Sequence, residues 1–131
     1  MVTAERNLWP QDLFTTVDVQ RTPLAILREQ AAILGDNARN LIEARVVTTT
    51  DYFLTRDFLQ TFNLVSPVLS NYTYQLFQVQ HPIEGYPLVV SFEDSQKKID
   101  SEDEFIEELK TIFASEKTRR VIQAMIAQSQ S

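Results

Sequence analysis

Residues 72–92 read YTYQLFQVQHPIEGYPLVVSF, and the way this stretch folds decides the class of the whole chain. Tyr72, Tyr74 and Leu76 alternate with polar residues, and so do Phe77, Val79 and His81, but the two sets are in opposite phase. The slip at Leu76-Phe77 predicts either a β-bulge or a strand covered on both faces. His81-Pro82-Ile83-Glu84-Gly85 then makes a five-residue corner, with Gly85 supplying the backbone freedom. Tyr86, Leu88, Val90 and Phe92 resume the alternation, while Pro87 sits on the other parity. Proline has no N–H for a sheet ladder, so a strand opened by Tyr86-Pro87 is predicted at or near an edge. Two strands joined by so short a corner pair antiparallel.

Working backwards, the run from Phe58 to Val65 is rich in apolar and β-forming residues and is closed by Ser66-Pro67, where proline pushes Ser66 away from helical geometry. Ile42, Ala44, Val46 and Thr48 alternate with Glu43, Arg45 and Val47, predicting a half-buried strand that ends at Thr48-Thr49-Thr50-Asp51. Before it, Thr22-Pro23 starts a helix: threonine accepts from a first-turn N–H, and proline has no N–H to leave unpaired. Leu24, Leu27, Ala31, Leu34, Ala38 and Leu41 follow at spacings of three and four, widened by Ala25, Ile26 and Ile33. Gly35 costs about 1 kcal/mol relative to alanine inside this stripe. The stripe nonetheless predicts a long helix continuing to about Asn40.

Downstream, Ser101-Glu102-Asp103-Glu104 fits a capping box, with Phe105, Ile106, Leu109, Ile112 and Phe113 as the buried face. Ser115 caps a last helix, with Val121, Ile122, Met125 and Ile126 on one side and Lys117, Arg119 and Arg120 on the other. Residues 1–21 carry a weak alternation from Leu13 to Gln20 and are expected to form an extended arm or a short edge strand. The reading is therefore one α+β domain over residues 1–131. It has an antiparallel meander sheet of four to five strands, one long N-terminal helix, and two C-terminal helices packed on one face.

Composition narrows the function classes. The chain has 131 residues, a net charge of −6 and no cysteine, which removes thiolate nucleophiles, disulfides and Cys-ligated metals. Glu93, Asp94, Asp100, Glu102, Asp103, Glu104, Glu107 and Glu108 against Lys97 and Lys98 put the whole net charge into residues 93–108. Such a chain repels phosphate backbones, so no nucleic-acid partner is expected. No run approaches the ~18 apolar residues of a membrane span, and the N-terminus lacks a signal-peptide pattern, so a cytoplasmic protein without a membrane partner is expected.

His81, the single histidine, is the first candidate for proton transfer near neutral pH, yet no orienting carboxylate or nucleophile-elbow pattern accompanies it. A polar residue closing a strand before Pro82 accounts for it as well. Asp100 to Glu104 has the carboxylates of a Mg²⁺ or Ca²⁺ site but not the loop spacing, and a capped first helical turn explains them. Gly35 and Gly85 lie too far apart for a phosphate-binding loop. No catalytic residue, metal or cofactor is assigned. The aromatic residues, including Phe53, Phe58, Phe62, Phe77 and Phe92, are expected mainly in the core.

Two functions compete. The first is a non-enzymatic protein-binding or regulatory module, acting through a protein partner or as a homodimer, with Leu8, Trp9, Glu102, Asp103 and Glu107 as partner-binding candidates. The second is a small-molecule-binding protein or enzyme with a sheet-floored pocket formed by His81, Tyr72, Tyr74 and Tyr86.

Overall fold

A computed structural model describes residues 8–14, 21–51 and 53–131. One helix, α1 (Pro23–Asn37), precedes five strands, β1 (Glu43–Thr50), β2 (Phe58–Ser66), β3 (Tyr72–His81), β4 (Leu88–Phe92) and β5 (Ser95–Ile99). Two helices follow, α2 (Glu102–Phe113) and α3 (Glu116–Ser129). The strands form one antiparallel sheet in the order β1-β2-β3-β4-β5. The α+β class and the meander are as the sequence predicts. Among the described residues no helix is long and apolar enough to cross a membrane.

The slip at Leu76-Phe77 is a β-bulge. Phe62 stands opposite Phe77 and Asn63 opposite Gln75, so Leu76 has no partner across the ladder. The extra residue returns Tyr74, Leu76, Phe77 and Val79 to one side of the sheet. On that side Leu76, Phe77 and Val79 are buried with Phe62, Leu64, Leu88, Val90 and Ile99 under Ile26 and Leu27 of α1 and Phe105, Leu109 and Ile112 of α2. Phe62 and Phe77 stack with ring centroids 4.9 Å apart, and Phe113 leans on both at 5.8 and 6.0 Å. Offset aromatic contacts of this kind add about 0.5–1.5 kcal/mol each beyond area burial. The other side of the sheet is mixed: Thr61 accepts a hydrogen bond from the Gln78 amide at 3.1 Å, while Leu59, Val89 and the buried Val65 add apolar surface.

Several expectations need correction. α1 is a 15-residue helix rather than a long one to Asn40. It passes through Gly35 and stops because the Asn40 N–H bonds back to the Gly35 carbonyl at 3.0 Å and Arg39 N–H to Asp36 at 3.2 Å. That double bond pattern is a Schellman ending, here built with Arg39 and Asn40 at φ 52° and 63° instead of glycine. β4 begins at Leu88, after Pro87, and lies between β3 and β5, so the strand is near an edge, as expected, but not at it. Pro87 owes its place to ending the corner, where no ladder N–H is required. The edge strand on this side is β5, SQKKI, which has only Ile99 buried and therefore lacks an apolar alternation to announce it. Of the proposed strand around residues 13–20, Gln11–Phe14 forms a short 3₁₀ turn and residues 15–20 lie outside the described residues.

The left-handed Arg39 gives a direct test of this helix ending. Arg39→Gly relieves a conformation that side chains disfavour and is expected to raise unfolding free energy by up to about 1 kcal/mol, measured by urea denaturation with an unchanged slope.

Candidate functional site

β3 carries three of the four predicted pocket residues, Tyr72, Tyr74 and His81, but along its whole length rather than at one place. Tyr72 and Tyr74 lie at its first end and His81 at its last, nine residues on, roughly 30 Å for an extended strand. The structure does not bring them together.

His81 is buried at the sheet end opposite Phe58, whose ring stacks on the imidazole with centroids 5.5 Å apart. Nδ1 is 2.9 Å from the Pro82 carbonyl oxygen, which can only accept, so Nδ1 carries the proton. Nε2 then accepts from the Gln60 amide at 3.1 Å, and the Gln60 carbonyl accepts from the Thr48 hydroxyl at 2.6 Å. Gln60 is itself buried. This three-residue relay across β1, β2 and β3 satisfies every polar atom of the imidazole. It is a reason for the histidine to be there that involves no substrate.

Tyr86 lies in the corner between β3 and β4, half-buried, and its hydroxyl donates to the Arg21 carbonyl at 3.3 Å. Burial, helped by the nearby Glu102 carboxylate and opposed by Arg21, pushes its phenol up to about 12. A raised acid favours the neutral form in the folded chain, so the stability this burial contributes is fully present below the ordinary value of 10.0 and is lost as pH rises from there through about 12. Gly85, at φ 97°, packs so close to α1 that an added Cβ would meet Pro23 Cδ at 3.2 Å. The β3–β4 corner thus braces the start of α1.

The partner-binding candidates fall into two groups, Leu8 with Trp9 and the three acids of α2. Leu8 and Trp9 are exposed, with the Trp9 ring edge-on to Phe14 at 6.3 Å. Glu102 accepts from the backbone N–H of Arg21 at 2.7 Å and pairs with its guanidinium at 3.3 Å, tying α2 to the segment before α1. Asp103 is exposed on the same first turn, and Glu107 pairs with Lys110 at 3.5 Å. The first-turn position of Glu102 and Asp103 is set by Ser101, which caps α2 by accepting from Glu104 N–H at 3.3 Å. Among the described residues no group of three His, Asp or Glu side chains is placed to hold a metal ion.

What the sequence missed is a recess along α3. This helix is held at its ends: Ser115 accepts from Thr118 N–H at 3.2 Å, and the Ser115 and Thr118 hydroxyls both donate to the Ile112 carbonyl at 2.7 Å. At the far end the Ser66 and Ser129 hydroxyls meet at 2.6 Å. Between those ties only Thr118 and Met125 are buried. One flank of α3 consequently opens into an apolar trough of about 420 Å³. Leu69, Tyr72 and Tyr74 form its sheet wall, and Val121, Ala124, Met125 and Gln128 its helix wall. Lys117 Nζ lies 5.9 Å above the Tyr74 ring at one end, a cation–π contact that leaves the charge facing solvent. The other flank borders a narrower cleft of about 230 Å³ against Ile33 and Leu34 of α1, floored by Phe62, Leu64, Leu76 and Phe113. Tyr72 and Tyr74 share this recess, and Asp103 and Glu107 line a separate one with Lys97 and Ile99 of β5; no local spacing pointed to Val121 or Met125 as neighbours of the two tyrosines.

Removing the imidazole leaves the buried Gln60 amide unpaired, so His81→Ala is expected to cost about 2–3 kcal/mol of stability. Replacing both polar partners, Gln60→Leu with His81→Phe, should restore most of that loss in the same chemical-denaturation measurement, because no buried polar atom is then orphaned. The chain matches no family model, no curated protein and no solved structure.

Proposed function

We propose that this chain is a non-enzymatic protein-binding module that takes an apolar segment of a protein partner in the trough between α3 and the start of β3. The observation that carries this reading is the trough itself, apolar in its walls and bordered at one end by the Lys117 charge. Its length runs along a helix, and an elongated surface recess suits an extended or helical segment better than an enclosed small molecule. Tyr72 and Tyr74 offer aromatic faces with a polar tip, the side-chain type most often found where binding energy concentrates. The structural relay around His81 supports the same choice, since every polar atom of the imidazole already has a partner.

A second reading is favoured by the cleft on the other flank of α3. A small apolar molecule is its natural occupant, although about 230 Å³ falls below the usual range of ligand pockets, roughly 300–1,000 Å³.

Selecting phage-displayed random peptides on the immobilised full chain separates the two. Apolar peptides should be enriched and should bind at least tenfold more weakly to Ala124→Trp, which fills the trough from an exposed position. Lack of enrichment, or binding indifferent to Ala124→Trp but abolished by Leu34→Trp, would sink the trough as the binding site.

A further inference from the structure

β1 is an open edge of the sheet. Among the described residues it pairs with β2 alone, in unbroken register from Glu43 opposite Val65 to Thr50 opposite Phe58. Asp51 N–H continues that ladder by bonding to the Asp57 carbonyl at 3.0 Å. Antiparallel hydrogen bonding alternates along a strand, so Ala44, Val46, Thr48 and Thr50 direct their N–H and C=O groups outward. Sheet edges are usually blunted by lysine, proline, a bulge or short length. β5, five residues with Lys97 and Lys98, is blunted in this way. β1, eight residues long, has no lysine, proline or bulge, and its two charges, Glu43 and Arg45, pair with each other at 3.2 Å. In the loop beyond β1, Phe53 is 96% exposed, contrary to the core role expected for it, so this part of the sheet carries apolar surface as well as free backbone groups.

Beside the edge, α1 and β1 border an open recess of about 440 Å³. Arg28, Ala32, Gly35 and Asp36 line its helix side, and Ala44 and Val46 its strand side. Packing within the chain does not account for Gly35. Glycine in a helix interior costs about 1 kcal/mol relative to alanine, yet an added Cβ would meet only Asn40 Oδ1, at an ordinary 3.7 Å. A missing side chain beside an open recess suits close approach by a second backbone.

The charges say which backbone that is. Arg28 and Asp36 are exposed and form no ion pair among the described residues, although Arg39 lies one turn from Asp36. They stand at equal distances in sequence on either side of Ala32. Two α1 helices laid antiparallel about Ala32 therefore bring Arg28 of each to Asp36 of the other. The strand points to the same axis. With two antiparallel β1 strands centred on Val46, Glu43 faces Thr49 and Arg45 faces Val47. Centring one residue earlier sets Arg45 against Arg45, and one residue later sets Glu43 against Asp51; like charges directly opposite are destabilising. α1 ends where β1 begins, which puts Asp36 at the Ala44 end of the recess. Ala32 lies about 6 Å back along the helix, roughly the length from Ala44 to Val46 along the strand. The helix and the strand thus agree on one twofold axis.

We propose that a second copy of this chain pairs with the first along β1, antiparallel and centred on Val46, with the two α1 helices packed about Ala32. One ten-stranded sheet then carries both helical layers on the same side. The contact is its own complement, so assembly stops at two copies. No residue lines both this recess and the trough, so the pair presents two troughs and forms independently of what they bind.

Sedimentation velocity should show the parent chain as a dimer, twice 15.1 kDa, that grows no further with concentration. Arg28→Asp and Asp36→Arg lie at exposed positions, and circular dichroism should show both folded. Each alone sets like charges across the axis and should weaken dimerisation at least tenfold. An equimolar mixture of the two should restore it, because every acid in the mixed pair again faces an arginine. Ala32→Trp, at the axis, should give a monomer, and the charge variants test the contact should that substitution disturb the fold. Hydrogen exchange should find the outward amides of Ala44, Val46 and Thr48 protected in the parent and exposed in Ala32→Trp. A parent chain that stays monomeric to near-millimolar concentration overturns the proposal, as does a dimer in which these three amides exchange freely. Single charge variants that dimerise like the parent, or a mixture that stays monomeric, overturn it equally. Peptide binding in the trough should survive Arg28→Asp, so the two readings fail separately.

Discussion

The unpaired Leu76 in β3 is the constraint on which the rest of the structure depends. A strand without it would alternate strictly, and Tyr72 and Tyr74 would face away from Phe77, Val79 and His81. With it, the aromatic wall of the trough, the Phe62-Phe77-Phe113 cluster and the His81 relay all lie on the side of the sheet that the helices cover. The bulge also gives Leu76 itself a buried position in the floor of the α1–α3 cleft. One inserted residue therefore sets which side chains make core and which make recess.

The second determinant is how α3 is fastened. Its apolar contact with the core is a narrow ridge, Met125 with the half-buried Val121, Ile122 and Ile126, and hydrogen bonds to Ile112 at one end and Ser66 at the other help fix where it lies. A helix seated by its ends leaves both flanks open, and these flanks are the trough and the cleft. α2, in contrast, fully buries Phe105, Leu109 and Ile112 against the sheet, with Glu102 and Glu108 adding polar ties to Arg21 and Lys97. The difference in attachment separates a helix that completes the core from one that shapes a surface.

How much of this was legible in the sequence follows from where each signal resides. Local signals were readable: Thr22, Ser101 and Ser115 mark the three helix starts, and each side chain accepts the first-turn N–H that its position implies. The phase slip at Leu76-Phe77 marked the bulge because both half-patterns are apolar. β5 was hidden because SQKKI puts a single buried side chain on a sheet edge, leaving no alternation to detect. The end of α1 was hidden because Arg39 and Asn40 take left-handed conformations in which glycine is the usual marker. Tyr72 and Tyr74 were singled out, but their partners Val121 and Met125 come from a helix that only the fold brings near. Phe53 misled because an exposed phenylalanine and a core phenylalanine are the same letter.

The most direct test of the account is a nuclear Overhauser spectrum of the β2–β3 ladder in the uniformly labelled full chain. Cross-strand contacts should join Phe62 to Phe77 and Asn63 to Gln75 with none placing Leu76 opposite a β2 residue, together with contacts from the Tyr74 ring to the Lys117 side chain. An unbroken register that pairs Leu76 across the ladder, with the Tyr74 ring remote from α3, would contradict it.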